Sequence, residues 1–129
     1  MTDINMDNNI FEQNITNPGS NIMLRLADYV SLTDKPCHQN RYRLTPHKDN
    51  GVFALVITDN IDGLQLNIND IWYNVSYKQN SILVFCGKIL ERYTDGLWKA
   101  ILHSVQSTSK HQRLSMTFFG DSDLQSTFQ

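Results

Sequence analysis

An excess of charge of either sign is what this 129-residue chain most clearly lacks: 11 Lys and Arg stand against 13 Asp and Glu, a formal net charge of −2. Without a basic surplus there is no electrostatic hold on a phosphate backbone or an anionic lipid surface, so neither nucleic acid nor membrane is expected as a partner. Long hydrophobic runs are missing as well, and nothing approaches the ~18 apolar residues of a membrane span. The first ten residues are polar and acidic, with neither the basic start nor the apolar stretch of a secretory signal. Cysteine is scarce: Cys37 lies beside Pro36 in a polar stretch, Cys86 at the end of the apolar run Ile82 to Phe85. Two reduced thiols are the reading that fits, and with it a soluble, cytoplasmic protein. Asn14-Ile15-Thr16 and Asn74-Val75-Ser76, which match the glycosylation pattern, then count as chance matches.

What remains is enough for one domain, which at this size buries roughly two-thirds of the surface exposed by its unfolded chain. Residues 1–21 are Asn-rich and close on Asn17-Pro18-Gly19-Ser20, so they read as a polar lead-in, partly flexible; residues 22–121 carry the pattern of a domain, and 122–129 form a polar tail. Branched and aromatic residues concentrate near Ile22 to Val30, Val52 to Thr58, Leu64 to Ile68, Ile71 to Val75, Ser81 to Phe85, Ala100 to Val105 and Arg113 to Phe119. Turn-forming clusters separate several of them, at Asp49-Asn50-Gly51, Asp59 to Gly63 and Asn69-Asp70. Many short, closely spaced strands predict a mainly β sandwich or barrel. Only Lys88 to Thr94 predicts a helix, of at most about two turns.

Against this apolar background a few polar residues stand out. His47 and Asp49, at i and i+2, project to one side of an extended chain, and Pro46 keeps Thr45 extended. A neutral imidazole and a carboxylate suit iron or zinc, although a surface turn would carry the same pair. His103, between Leu102 and Ser104 in a strand, is either a third ligand or a hydrogen-bonded ring in the core. Two imidazoles and one carboxylate can hold iron(II) and leave the positions that a substrate and O2 need. In the last strand Arg113, Ser115 and Thr117 share one face and Leu114, Met116 and Phe118 the other. Turned inward, the polar face offers a guanidinium and a hydroxyl to a carboxylate; turned outward, it is a solvated surface. His38 and His111 lie in polar surroundings and are read as surface residues.

The order and spacing of these residues resemble the 2-oxoglutarate- and iron(II)-dependent dioxygenases, in the branch that includes isopenicillin N synthase and the plant flavonoid and gibberellin oxygenases. His47-Lys48-Asp49 is followed 54 residues after Asp49 by His103, and ten residues later by Arg113-Leu114-Ser115. Between them, Gly63-Leu64-Gln65-Leu66 and Ile71-Trp72-Tyr73-Asn74-Val75 are similar to family segments, and so is the approach Thr94 to His103. Leu24 to Tyr29 resembles the strand whose Tyr contacts the cosubstrate.

The resemblance implies a double-stranded β-helix, the cupin-like jelly roll, with at most short helices. It implies Fe(II) on His47, Asp49 and His103, and 2-oxoglutarate paired with Arg113 with help from Ser115 and Tyr29. It further implies O2 as oxidant, a small-molecule substrate, and release of succinate and CO2. A fragment that binds metal without turnover, or a cupin-type barrel that does not use 2-oxoglutarate, would share part of the pattern. Members of this branch are usually more than twice as long, and their amino-terminal half backs the larger sheet. An exposed apolar face that favours self-association or a partner chain is therefore expected.

Overall fold

The computed structural model describes residues 20–31, 42–106 and 110–121. Most of the lead-in, all of the tail, Asn14 to Thr16, Cys37 and His38 lie outside the described residues. Among the described residues, eight strands and one short helix follow in order: β1 (Ile22–Tyr29), β2 (Tyr42–His47), β3 (Phe53–Thr58), β4 (Leu64–Ile68), β5 (Ile71–Asn74), β6 (Leu83–Cys86), α1 (Lys88–Tyr93), β7 (Leu102–Gln106) and β8 (Arg113–Gly120).

The strands form two four-stranded antiparallel sheets, ordered β1-β8-β3-β6 and β2-β7-β4-β5. Only β4 and β5 are neighbours both in sequence and in space. Their hairpin turns on Asn69 and Asp70, whose φ angles of 51° and 63° are the left-handed pair of a type I′ turn. Every other pairing joins strands distant in sequence, and together they wind the chain into the jelly roll.

The two sheets face one another across Ala54, Val56, Leu64, Phe85 and Val105, all buried. Branched residues of β3, β4 and β7 stand perpendicular to their sheets and fill this interlayer. Strand β2 carries no apolar alternation and is absent from the sequence-based strand assignment. It forms because β7 supplies hydrogen-bonding partners at an edge, where Pro46 costs no ladder bond, and its register shifts twice between Tyr42 and His47. The strand stops at His47, so Asp49 sits in the following loop and not on an extended strand as expected.

Strand β8 settles the orientation of its polar face. Arg113 is 2% exposed and points between the sheets, while Leu114 and Met116 are 51% and 37% exposed on the outside. The apolar face is therefore the outer one. Register extends it across the sheet in two rows, Leu26–Met116–Ile57 and Leu24–Phe118–Leu55–Val84. Leu26 is 74% and Val84 65% exposed.

Candidate functional site

His47 ends β2 and His103 lies in β7, and the two are Cα partners across the β2–β7 pair, with ring centroids 4.3 Å apart. Each Nδ1 meets the carbonyl two residues upstream, His47 on Thr45 O at 2.8 Å and His103 on Ile101 O at 3.1 Å. A carbonyl only accepts, so Nδ1 carries a proton in both rings, and Nε2 is the atom whose lone pair is free for a metal when the ring is a ligand. Both Nε2 atoms face Asp49 Oδ1, at 3.7 Å from His47 and 3.9 Å from His103. One ligand atom from each of the three lies within 4.8 Å of the others.

Asp49 is held there by backbone hydrogen bonds to the start of α1. Lys88 N–H donates to Asp49 O at 2.9 Å, Ile89 N–H to Gly51 O at 3.1 Å, and Gly87 N–H to Val52 O at 2.9 Å. Across the same contact Lys88 Nζ donates to Asn50 Oδ1 at 3.0 Å, and Lys48 pairs with Glu91 at 3.5 Å. The approach is so close that a side chain on Gly87 would overlap the backbone of Gly51.

The environment is dry on the His103 side. Its ring packs 4.9 Å from that of Phe85. Burial pushes the His103 pKa below the ordinary imidazole value of 6.5, against the opposing effects of the Ile101 hydrogen bond and Asp49, while His47 adds to the depression. A neutral imidazole is what a metal requires.

Arg113, the first residue of β8, lies at the other end of the same interior. Its Nε donates to Ile61 O at 3.2 Å and its guanidinium carbon lies 5.3 Å over the Tyr29 ring. Nη1 is buried and has no hydrogen-bond partner among the described residues. Burial makes Arg113 less basic than usual, Tyr29 and Asp59 oppose that, and Arg43 reinforces it; a guanidinium stays charged throughout. Asp59 fixes the loop below, accepting from Ile61 N–H and Leu114 N–H. An unpaired buried cation calls for an anion.

A cavity of about 40 Å³ is lined by His47, Asp49, His103, Tyr29, Arg113 and Ser115 together. All six residues singled out in the sequence thus border one space. His111 is exposed, outside it. Sequence reasoning missed Phe85, Asp59 and the α1 contacts, because Phe85 meets His103 only once β6 and β7 are brought together, and the others act through backbone atoms or through partners distant in sequence. Two imidazoles and a carboxylate converging beside a cavity fit Fe(II), which they would hold while leaving positions open to ligands; zinc accepts the same donors.

Among the described residues, no helix is long and apolar enough to cross a membrane. Residues 21–122 match the family model of the 2OG-Fe(II) oxygenase superfamily. Gibberellin 2-beta-dioxygenase 1 of Arabidopsis thaliana is 27% identical over 121 residues, 90% of this chain and 37% of the relative. Codeine O-demethylase of Papaver somniferum is 32% identical over 84 residues, 64% of this chain and 23% of the relative. Among solved structures, a full-length Neurospora crassa protein in complex with alpha-KG superposes with a TM-score of 0.83 at 22% identity, covering 94% of this chain and 39% of that one. The dioxygenase for auxin oxidation 1 of Arabidopsis thaliana, in its 2-oxoglutarate complex, gives 0.73 at 18% identity, covering 81% of this chain and 40% of that one. These likenesses show the fold, and the chain spans well under half the length of each relative. With 102 of its residues matched to the family, the chain belongs to the 2OG-Fe(II) oxygenase superfamily.

Proposed function

We propose that this chain is the catalytic barrel of an Fe(II)- and 2-oxoglutarate-dependent oxygenase acting on a small organic molecule. The observation that carries the reading is the placement, around one interior cavity, of a His47–Asp49–His103 cluster and an unpaired buried guanidinium. Bound iron would supply O2 activation coupled to decarboxylation of the 2-oxo acid. The chain's own residues do the rest. His47, Asp49 and His103 are the metal ligands, oriented by Thr45 O, Ile101 O and the α1 contacts. Arg113 binds the distal carboxylate of 2-oxoglutarate, with Ser115 and Tyr29 adding hydrogen bonds; this neutralises the buried charge and fixes which end of the diacid faces the metal. Phe85 and Val105 keep bulk water from the inner side of His103.

The test is an anaerobic titration of the purified chain with Fe(II) and then 2-oxoglutarate, reading the weak visible charge-transfer band of a chelated keto acid. The band appears in the parent and is absent in His103→Ala. A folded parent without the band overturns the reading.

A second reading, a piece that binds metal and cosubstrate without substrate turnover, is favoured by the exposed outer face of the β1-β8-β3-β6 sheet. Decarboxylation of 2-oxoglutarate uncoupled from oxidation of any substrate supports it. The same face supports a partner component of the proposal: self-association or a partner chain covers it. A cytoplasmic setting is likewise part of the proposal, in keeping with the free thiol of Cys86.

A further inference from the structure

Gly51, two residues after Asp49, is held by two separate parts of the chain. Its carbonyl accepts from Ile89 N–H, and its backbone lies against Gly87 at the start of α1. In the direction that a side chain would take, Gly51 meets the carboxylate of Asp121, whose Oδ1 and Cγ occupy the space a Cβ would need. Asp121 directly follows β8 and is tied to the end of the β1-β8-β3-β6 sheet. Its N–H donates to Asn21 O at 3.2 Å, and the carbonyl before it, Gly120 O, accepts from Val52 N–H at 3.1 Å. A carboxylate is thereby fixed against the loop that bears Asp49.

Its charge works against the ligand-free fold. Oδ1 of Asp121 is buried with no hydrogen-bond partner, and Asp121 makes no ion pair among the described residues. Desolvation raises the Asp121 pKa, a hydrogen bond from Val52 N–H opposes the rise, and the negative charge of Asp49 adds to it. A buried oxygen without a donor and a second carboxylate within electrostatic reach are both destabilising. A divalent cation reverses that balance. With neutral imidazoles as ligands, Fe(II) on His47, Asp49 and His103 keeps one uncompensated positive charge, and Asp121 carries the opposite one.

We infer that Asp121 is a positioning residue for the metal site, which holds the Asp49 loop through Gly51 and whose charge favours the metal-loaded state over the empty one. It stands outside the His47–Asp49–His103 cluster and acts through Gly51 and through its field at Asp49. This rests on the proposed metal site and adds to it a residue that is not a ligand.

The experiment compares the parent with Asp121→Asn, which keeps the size and the acceptor for Val52 N–H and removes the charge. Anaerobic calorimetric titration with Fe(II) alone, at neutral pH and at low and high salt, reads the metal affinity. Thermal melts of the metal-free proteins read the stability. The expected result is a split: Fe(II) affinity falls about three- to tenfold at low salt and by less at high salt, while the metal-free midpoint stays level or rises. A merely structural contact would lower midpoint and affinity together. Equal or higher affinity in Asp121→Asn, a fall that salt does not diminish, or a fall accompanied by a lower midpoint overturns the role of Asp121 while the metal site stands. A folded parent that binds no Fe(II) overturns the metal reading and this inference with it.

Discussion

Arg113 and Tyr29 are Cα partners across the β1–β8 pair, and the guanidinium carbon of one lies 5.3 Å from the ring centroid of the other. The pairing holds the cation in place before any ligand arrives, and a cation over an aromatic face contributes about 0.5–2 kcal/mol. With Nε fixed on Ile61 O, the remaining donors are set to meet an anion.

Arg113→Ala is expected to weaken 2-oxoglutarate about 30- to 1,000-fold, the effect of removing one partner of a buried charge pair. Arg113→Met, which keeps the bulk and removes the unpaired charge, is expected to raise the thermal midpoint of the ligand-free protein while losing the cosubstrate. Calorimetric titration and thermal melts of the same two variants check both directions. A destabilised Arg113→Met would mean that the Ile61 and Tyr29 contacts outweigh the burial of the charge.

The depressed His103 pKa gives a pH dependence to the ligand-free fold. Above about pH 6.5 the ring is neutral in both folded and unfolded chains and makes no difference. As pH falls from 6.5 toward the lower folded value, the unfolded chain takes up a proton that the folded one refuses, and stability drops. Urea unfolding at pH 7.5 and pH 5.5 measures the loss, and His103→Gln is expected to flatten it. An unchanged slope in His103→Gln would assign the loss to other groups.

Gly87→Ala is expected to cost about 2–4 kcal/mol, because the new methyl meets the Gly51 backbone, which can yield only by moving the loop that bears Asp49. Iron affinity is expected to fall with it, by about tenfold or more. A variant that loses stability but keeps its Fe(II) affinity would show that the loop position and the ligand geometry are uncoupled.

The outer rows of the β1-β8-β3-β6 sheet are expected to drive association at micromolar concentration. Light scattering should give a mass above that of the single chain for the parent, and a lower mass for the Leu26→Glu, Met116→Glu double variant. Both positions are exposed, so the charges cost the fold itself little. A parent that runs as a single chain at tens of micromolar would argue against self-association.

The sequence by itself determined what could be read from local order. Segments rich in branched and aromatic residues placed β1, β3, β4, β5, β6, β7 and β8, and Asn69-Asp70 marked the turn of the β4–β5 hairpin, since two adjacent left-handed residues select that turn. The family resemblance added the jelly roll and the roles of His47, Asp49, His103 and Arg113; from the residues alone, a surface turn, a core ring and a solvated strand face fitted them as well. Tertiary structure decided the rest. Strand β2 exists because β7 lends it hydrogen bonds, which no property of Tyr42 to His47 announces. The inward turn of Arg113 was equally undecided by a two-residue alternation, which defines two faces but not which is buried. That choice is made by the opposing sheet: burial of Ala54, Val56, Leu64 and Val105 between the layers fixes the inner side, and register with β1 and β3 carries Arg113 in with them. The cavity of about 240 Å³ that Arg113 also borders has no sequence signature at all, because its walls come from separate segments that only the winding of the barrel brings together.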